Sequence, residues 1–342
     1  MLDEADHILW CNRVAADHFA LDPQRDLQQR MTNLVRSPAF VAYLHAGDFS
    51  DVLQLSNVRG QATLSVLVRS YGIGRRLVLS QDITERERSD AMRRDFVANV
   101  SHEIRTPLTV LAGFIETMST LQLTEAERRR VLVLMGQQAQ RMQSLVSDLL
   151  ALAQLEGSPR PGPDRWVSLD TLLARIESDA LALSAGRHLI HVERAAGTEL
   201  AGMESELLSA AANLMTNAVR YTPAGGSIDV VWRTLVDGSG ELSVSDTGVG
   251  IAREHLPRLT ERFYRVDGSR SRETGGTGLG LSIVKHIVQR HGGELLVQSE
   301  PAKGSKFRLI FPAARVRHLA DAALGVEAAM RLLTHADATP QN

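Results

Sequence analysis

Several features are scarce or missing in this sequence of 342 residues. Cys11 is its single cysteine, which excludes an internal disulfide and a site built from several thiolates, and fits a reducing compartment. No apolar run approaches the roughly 18 residues that span a bilayer, and the start lacks a basic signal-peptide region. The formal net charge of -2 gives no long-range field for nucleic acid or anionic lipid. We therefore expect a cytoplasmic protein that does not bind nucleic acid directly.

Two apolar stripes between residues 85 and 157 have spacings of three and four residues, which predicts two long helices. The first stripe runs from Val97 to Met118. The second follows Thr124–Glu127, which has the form of a capping box, and continues to Leu152. Because one hairpin cannot bury both stripes, we expect two copies to pair in a four-helix bundle, which predicts a homodimer.

The remaining segments are predicted to form other domains. Residues 1–84 alternate short apolar runs with polar turns, as in a small mixed α+β domain. Residues 158–165 are rich in proline and glycine, which is typical of a linker. Residues 166–314 alternate helix-like and strand-like runs, which predicts an α/β sandwich. Residues 315–342 are rich in alanine, with a weak helical stripe through Leu319, Ala323, Val326, Met330 and Leu333, and carry no chemical motif.

A histidine lies on the first predicted bundle helix, between stripe positions Val100 and Ile104, where it should face solvent. An exposed neutral imidazole at His102 is a competent nucleophile, and the adjacent Glu103 carboxylate can orient it or remove its proton. Thr106, one turn further on, could position a water for hydrolysis of a phosphorylated partner. The segment begins like the zinc pattern His-Glu-x-x-His, but Thr106 takes the place of the second histidine, so a zinc protease is excluded.

Two asparagines four residues apart, Asn213 and Asn217, share one face of a predicted helix that ends at a Thr-Pro pair. A carboxamide oxygen there can ligate Mg²⁺, while Arg220, one turn after Asn217, can reach a phosphate. The alternative is a pair of capping or solvated asparagines. Two asparagines within a helix lower the helix propensity of the segment, and no structural role is evident for them. We therefore predict a nucleotide-binding face that extends to Tyr221.

Two glycine-rich segments complete a predicted nucleotide pocket. Asp246 ends a predicted strand and can accept a hydrogen bond from an adenine amino group, while Gly248 and Gly250 let the backbone approach the base. A second glycine-rich loop runs into a helix whose free N–H groups attract phosphate. Its candidate ligands are Gly276, Thr277, Gly278, Leu279 and Gly280. Dinucleotide and P-loop spacings are absent, and the polar segment 261–274 between the two could close over bound nucleotide.

These segments, in this order and spacing, resemble the H, N, G1, F and G2 boxes of sensor histidine kinases of two-component systems, over residues 90–312. The resemblance implies a multidomain α+β protein with a PAS-like domain, a phosphotransfer hairpin that forms a dimeric four-helix bundle, and a Bergerat-type (GHKL) ATP-binding α/β sandwich. It implies that His102 is the phospho-acceptor, Glu103 the general base and Thr106 a residue that supports phosphatase activity. It further implies that Asn217 ligates Mg²⁺ and that Asp246 binds adenine.

The N-terminal part is similar to phosphate-regulon members of this family, over Ile8–Asn12, Asn33–Leu44 and Asp48–Ser50. Asp82-Ile83-Thr84 resembles the motif that closes a PAS domain before its signalling helix. The resemblance implies a response regulator as partner, with a receiver domain and a DNA-binding domain, phosphorylated when phosphate is scarce. Family members usually begin with inner-membrane helices, and this part faces the cytoplasm. We therefore expect membrane attachment only through a missing N-terminal segment or a partner.

Two other functional classes stay open at this point. A conformational ATPase of the chaperone or mismatch-repair type shares the ATP-binding fold but transfers the phosphoryl group to water. The histidine motif on the bundle argues against it. A signalling adaptor would use the bundle only to dimerise, and the nucleotide-binding segments argue against that.

Overall fold

The computed structural model describes residues 1–57, 60–266 and 276–319. The chain divides into two units, Met1–Ser101 and His102–Asn342. The first unit begins with three short helices, α1 (Arg13–Phe19), α2 (Met31–Leu34) and α3 (Pro38–Ala46). An antiparallel sheet follows, in the order β1 (Leu53–Ser56), β2 (Thr63–Ser70) and β3 (Arg76–Asp82).

The core of the first unit is built on alternate residues of β2. Leu64, Val66 and Val68 are fully buried, as the period of two in a half-buried strand requires, and Phe40 of α3 belongs to the same core cluster. The intervening residues of β2 are more exposed. The mixed α+β character expected for this part of the chain is therefore confirmed.

Two long helices form the predicted hairpin, α4 (Thr84–Thr120) and α5 (Glu125–Gly157). Asp82 precedes α4, and its Oδ1 accepts hydrogen bonds from the backbone N–H and the hydroxyl of Thr84 at 2.9 and 2.5 Å. At the start of α5, the Thr124 hydroxyl accepts from the Glu127 N–H while the Glu127 carboxylate accepts from the Thr124 N–H. The capping box read from the sequence is therefore present.

An α/β sandwich fills most of the second unit. Its helices are α6 (Leu169–Ser184), α7 (Glu204–Tyr221) and α8 (Gly280–Arg290). They pack against a five-stranded sheet. Its strands are β5 (Leu189–Val192), β7 (Ser227–Thr234), β8 (Gly240–Asp246), β9 (Glu294–Glu300) and β10 (Gly304–Phe311). Their order in the sheet is β5-β7-β8-β10-β9. Only β5 and β7 pair in parallel among them. The predicted sandwich is confirmed.

A small second sheet has the order β11-β6-β4, from β4 (Trp166–Ser168), β6 (Thr198–Ala201) and β11 (Val316–His318). Strand pairing thus continues past residue 314, where the sequence placed the end of the domain. Arg317 of β11 forms an ion pair with Glu199 of β6 at 2.5 Å. The partner strand is distant in sequence, so no local pattern indicated this strand. The predicted helical stripe from Ala323 to Leu333 lies outside the described residues.

Two arginines that follow in the chain bind the linker after α5. Arg290, at the end of α8, donates to the carbonyls of Leu155, Ser158 and Pro159 at 2.6 to 2.8 Å. Arg315 donates to the carbonyls of Pro161 and Gly162 at 2.8 and 3.3 Å. Residues 158–162 have no regular secondary structure, as their composition predicted, yet the backbone oxygens of Ser158, Pro159, Pro161 and Gly162 are bound to the domain that follows.

Within the part of the chain that the structure describes, no helix combines the length and the apolar character needed to cross a membrane.

Leu214 of α7 is fully buried, whereas Leu183 of α6 is exposed. We expect Leu214→Ala to lower the free energy of unfolding of the α/β sandwich by about 2–5 kcal/mol, because it leaves a cavity. The control Leu183→Ala should change it by less than about 0.5 kcal/mol. Denaturant unfolding in a Trp10→Phe background, with Trp166 and Trp232 as fluorescent reporters, measures both. Equal losses in the two variants would contradict this packing.

Candidate active site

His102 lies on α4 and is exposed, as predicted. The Glu103 carboxylate is half-buried and forms an ion pair with Arg141 of α5 at 2.9 Å, which fixes its position across the hairpin. The Thr106 hydroxyl donates to the backbone carbonyl of His102 at 3.1 Å. Pro107 follows inside the helix and lacks the N–H that would otherwise bond to the Glu103 carbonyl. An accessible nucleophile therefore stands beside an oriented carboxylate.

The predicted nucleotide-binding face lies on the last turns of α7. Its apolar side, which includes Leu207, Leu214 and Ala218, is buried, so the helix orientation is fixed by packing. Asn213, Asn217 and Arg220 are half-buried, and Tyr221 is the exposed last residue. The Asn213 Nδ2 donates to the Ser209 carbonyl at 2.9 Å, and its Oδ1 faces Gly280 of the second glycine-rich loop.

Asp246 is the last residue of β8, next to the end of α7. Its Oδ1 accepts from the Gly248 N–H at 2.8 Å. Burial raises the pKa of this carboxyl, against the lowering effect of the N–H groups of Gly248 and Ser305. A Cβ on Gly248 would come within 2.5 Å of the Tyr221 carbonyl, so only glycine lets the two segments meet.

The second glycine-rich loop approaches the same face of α7. A Cβ on Gly280 would lie 2.5 Å from Asn213 Oδ1, and one on Gly276 would lie 2.7 Å from Arg220 Nη1. The structure therefore brings the loop and the asparagine helix together, as a single pocket requires.

Other residues of the glycine-rich segments have structural roles. Gly250 and Gly278 adopt positive φ angles of 68° and 73°, which favour glycine. The Leu279 side chain is fully buried, so only its backbone could face a ligand, and its N–H donates to the Thr277 hydroxyl at 3.2 Å. Residues 267–274 of the predicted closing segment lie outside the described residues.

Arg265, to which the sequence assigned no role, lies within electrostatic reach of charged groups on the hairpin and on α7. Burial lowers the pKa of its guanidinium, and the charge of Arg141 lowers it further, while Glu103 and Tyr221 act in the opposite direction. Its Nε and Nη2 are buried and have no hydrogen-bond partner among the residues that the structure describes. Donors of this kind suit an anion. The local sequence Phe-Tyr-Arg did not indicate that Arg265 could bind phosphate, because the charged groups near it belong to segments that are distant in sequence.

Comparison with known proteins agrees with this arrangement. The His Kinase A (phospho-acceptor) domain family matches residues 92–158, and the histidine kinase-, DNA gyrase B-, and HSP90-like ATPase family matches residues 202–315. The chain is 46% identical over 319 residues to the phosphate regulon sensor protein PhoR of Pseudomonas aeruginosa, covering 92% of this chain and 72% of that protein. The chain belongs to the sensor histidine kinases. The kinase is also 33% identical to PhoR of Haemophilus influenzae over 306 residues, covering 90% and 71% of the two chains.

A solved structure shares the fold of this histidine kinase. The histidine kinase ThkA, crystallised in complex with the response regulator protein TrrA, has a TM-score of 0.51 and 18% identity, and the match covers 91% of this chain and 94% of that one. The expected fold, a hairpin followed by an ATP-binding sandwich, is therefore confirmed. The two family matches and the relatives confirm the expected family and its histidine kinase activity. The resemblance to phosphate-regulon sensors is confirmed as well.

Asp246→Asn should stabilise the histidine kinase at neutral pH. The pKa of Asp246 is raised in the folded state, so stability falls as pH rises from the ordinary aspartate value to the raised one, and the cost remains above it. Removing the charge removes that cost. The control is Asp237→Asn, because hydrogen bonds from Ser239 lower the pKa of Asp237 and its charge stabilises the fold. Thermal unfolding at neutral pH should move in opposite directions for the two variants, and a lower Tm for Asp246→Asn would contradict this account.

Proposed function

We propose that the kinase transfers the γ-phosphoryl group of Mg-ATP to a ring nitrogen of His102 and then delivers it to an aspartate of a response regulator. The main support is the position of Arg265. Two of its donors have no partner among the described residues, and its guanidinium lies within electrostatic reach of Glu103, beside His102, and of Arg220, on the nucleotide-binding face. An anion bound at Arg265 would therefore be within reach of groups on both the acceptor side and the nucleotide side.

In the transfer from ATP to His102, each side chain of the site has a role. The His102 nitrogen lone pair forms the N–P bond as the bond from phosphorus to the β–γ bridging oxygen breaks, and ADP leaves. Glu103 takes the imidazole proton. Arg220 and Arg265 stabilise negative charge on the transferring oxygens, and Asp246 accepts a hydrogen bond from the adenine amino group. Most of the rate enhancement then comes from positioning and charge.

The side chains present fit a Mg²⁺ ion held mainly by phosphate. No group of three or more histidine, cysteine, aspartate or glutamate side chains in the described ranges could hold a metal. Mg²⁺ in ATP sites is bound through one or two protein oxygens, phosphates and water, and the Asn217 amide oxygen is suited to that role. When bound, the ion neutralises charge on the phosphate oxygens.

Delivery to a response regulator is supported by the exposure of His102 and by the relatives. ThkA was crystallised in complex with the response regulator protein TrrA, and two relatives are phosphate regulon sensor proteins. The response to phosphate scarcity and a receiver-domain transcription factor as partner follow from that likeness. Thr106, one turn from His102, would position a water for dephosphorylation of the partner.

The hairpin dimerises into a four-helix bundle in this proposal. Large apolar side chains remain exposed along both helices in the single chain, namely Leu108, Ile115, Leu132, Val146 and Leu150. A second copy would bury them. Residues 1–84 serve as a PAS-like sensor domain, 85–157 as signalling helix and phosphotransfer domain, and 166–314 as the catalytic domain.

Labelling with γ-labelled ATP and Mg²⁺ tests the acceptor. The wild type should acquire label that is acid-labile and base-stable, as phosphohistidine is. His102→Ala should lose the label completely, because in this scheme His102, next to Glu103, supplies the attacking nitrogen. The control is His191→Ala, which removes another exposed histidine, on β5. It should label like wild type.

Two outcomes would contradict the proposal. Label that persists in His102→Ala would place the acceptor elsewhere. ATP hydrolysis by the wild type without any protein-bound label would indicate a conformational ATPase.

A further inference from the structure

An acidic side chain of the hairpin is bound to the loop that we assign to phosphate. The Thr277 hydroxyl donates to Oδ2 of Asp148, on α5, at 2.6 Å. The charge of Arg220 acts on the same carboxylate. The Arg220 guanidinium also lies against Gly276, the residue before Thr277. One carboxylate thus accepts a hydrogen bond from the glycine-rich loop and lies within electrostatic reach of the guanidinium beside that loop.

The hydroxyl of Thr277 and the guanidinium of Arg220 are groups that would also bind a phosphate. Carboxylate and phosphate oxygens both accept hydrogen bonds from hydroxyl groups and pair with arginine. Asp148 is half-buried, and burial raises the pKa of its carboxyl, while Thr277 and Arg220 oppose that effect. The carboxylate therefore loses solvation at this position, and the two groups expected to bind phosphate partly compensate for that loss.

We propose that the Asp148 carboxylate is an internal competitor of the nucleotide, which occupies the phosphate subsite of Thr277 and Arg220 when no nucleotide is bound. The inference rests on the proposed phosphate role of these two residues. Nucleotide phosphates displace Asp148 and release the glycine-rich loop from α5. Because coupling is reciprocal, a hairpin held in contact with the loop binds nucleotide more weakly.

Two further contacts between α5 and the ATP-binding domain do not involve the phosphate subsite. Glu156 forms an ion pair with Arg262. Arg290 donates to the Leu155 carbonyl at 2.6 Å. Loss of the Asp148 contact therefore leaves α5 attached at its end. Glu156→Gln consequently weakens attachment without changing the charge at the subsite, and it serves as the matched control for Asp148→Asn.

The experiment measures the affinity of the full chain for adenosine, ADP and a non-hydrolysable ATP analogue. Asp148→Asn should bind ADP and the analogue about five- to tenfold more tightly than wild type, within the usual range of coupling between sites. Its affinity for adenosine should not change, because adenosine has no phosphate. Asp148→Ala, which also removes the acceptor of the Thr277 hydrogen bond, should gain at least as much. Glu156→Gln should resemble wild type for all three ligands.

Several results would overturn the inference. An unchanged or weaker affinity of both Asp148 variants for ADP would make Asp148 a support of the loop. An equal gain for adenosine, or the same gain in Glu156→Gln, would indicate looser attachment of the domain instead of competition for the subsite. If the wild type bound none of the three ligands, the proposed function itself would fail, and the inference with it. Normal ATP-analogue binding by the wild type with no gain in either variant refutes the inference alone.

Discussion

The guanidinium of Arg290 joins four segments of the second unit. Its five N–H donors reach both carboxylate oxygens of Glu206, at 3.0 and 3.1 Å, and the carbonyls of Leu155, Ser158 and Pro159. Arg290 is only 6% exposed, so these bonds form away from water. Removing the arginine would leave Glu206 buried without a cation, at a cost of about 3–5 kcal/mol. The end of α5, the linker, α7 and α8 therefore share one charged centre.

The active site depends on that attachment, because its parts lie on the same elements. α7 carries Asn213, Asn217 and Arg220, and the glycine-rich loop leads directly into α8. Glycines let these parts approach to distances that a side chain would prevent. Arg265 lies within electrostatic reach of Arg141 and Arg220. Two acids of the hairpin oppose these positive charges, since Glu103 acts on Arg265 and Asp148 lies within reach of Arg220.

Local patterns in the sequence predicted most of the regular structure. The capping box at Thr124, the two long helices and the α/β sandwich were predicted correctly, because each depends on neighbouring residues and on the period of apolar positions. The exposure of His102 followed from the same period. The motifs of the site are also local and could be read from the sequence. Their convergence on α7 followed from the assumption that they form one nucleotide pocket.

Features that depend on distant residues were not predictable. The strands β4 and β11 have three residues each, too few for a pattern, and exist because β6 lies between them. The linker composition indicated a segment between domains, but not that its carbonyls accept hydrogen bonds from Arg290 and Arg315, far along the chain. The ion pair of Glu103 with Arg141 and the contact of Asp148 with Thr277 likewise join segments with no common motif.

The central claim is that a phosphoryl group from ATP is transferred to His102, and peptide mapping by tandem mass spectrometry tests it most directly. Trypsin should release residues 95–105 as one peptide, in which His102 is the single histidine. After incubation with Mg-ATP and digestion at alkaline pH, we expect the phosphoryl group on this peptide, with fragment ions that place it on the imidazole. A phosphoryl group on Ser101 of the same peptide, or on a histidine of another peptide, would contradict the account.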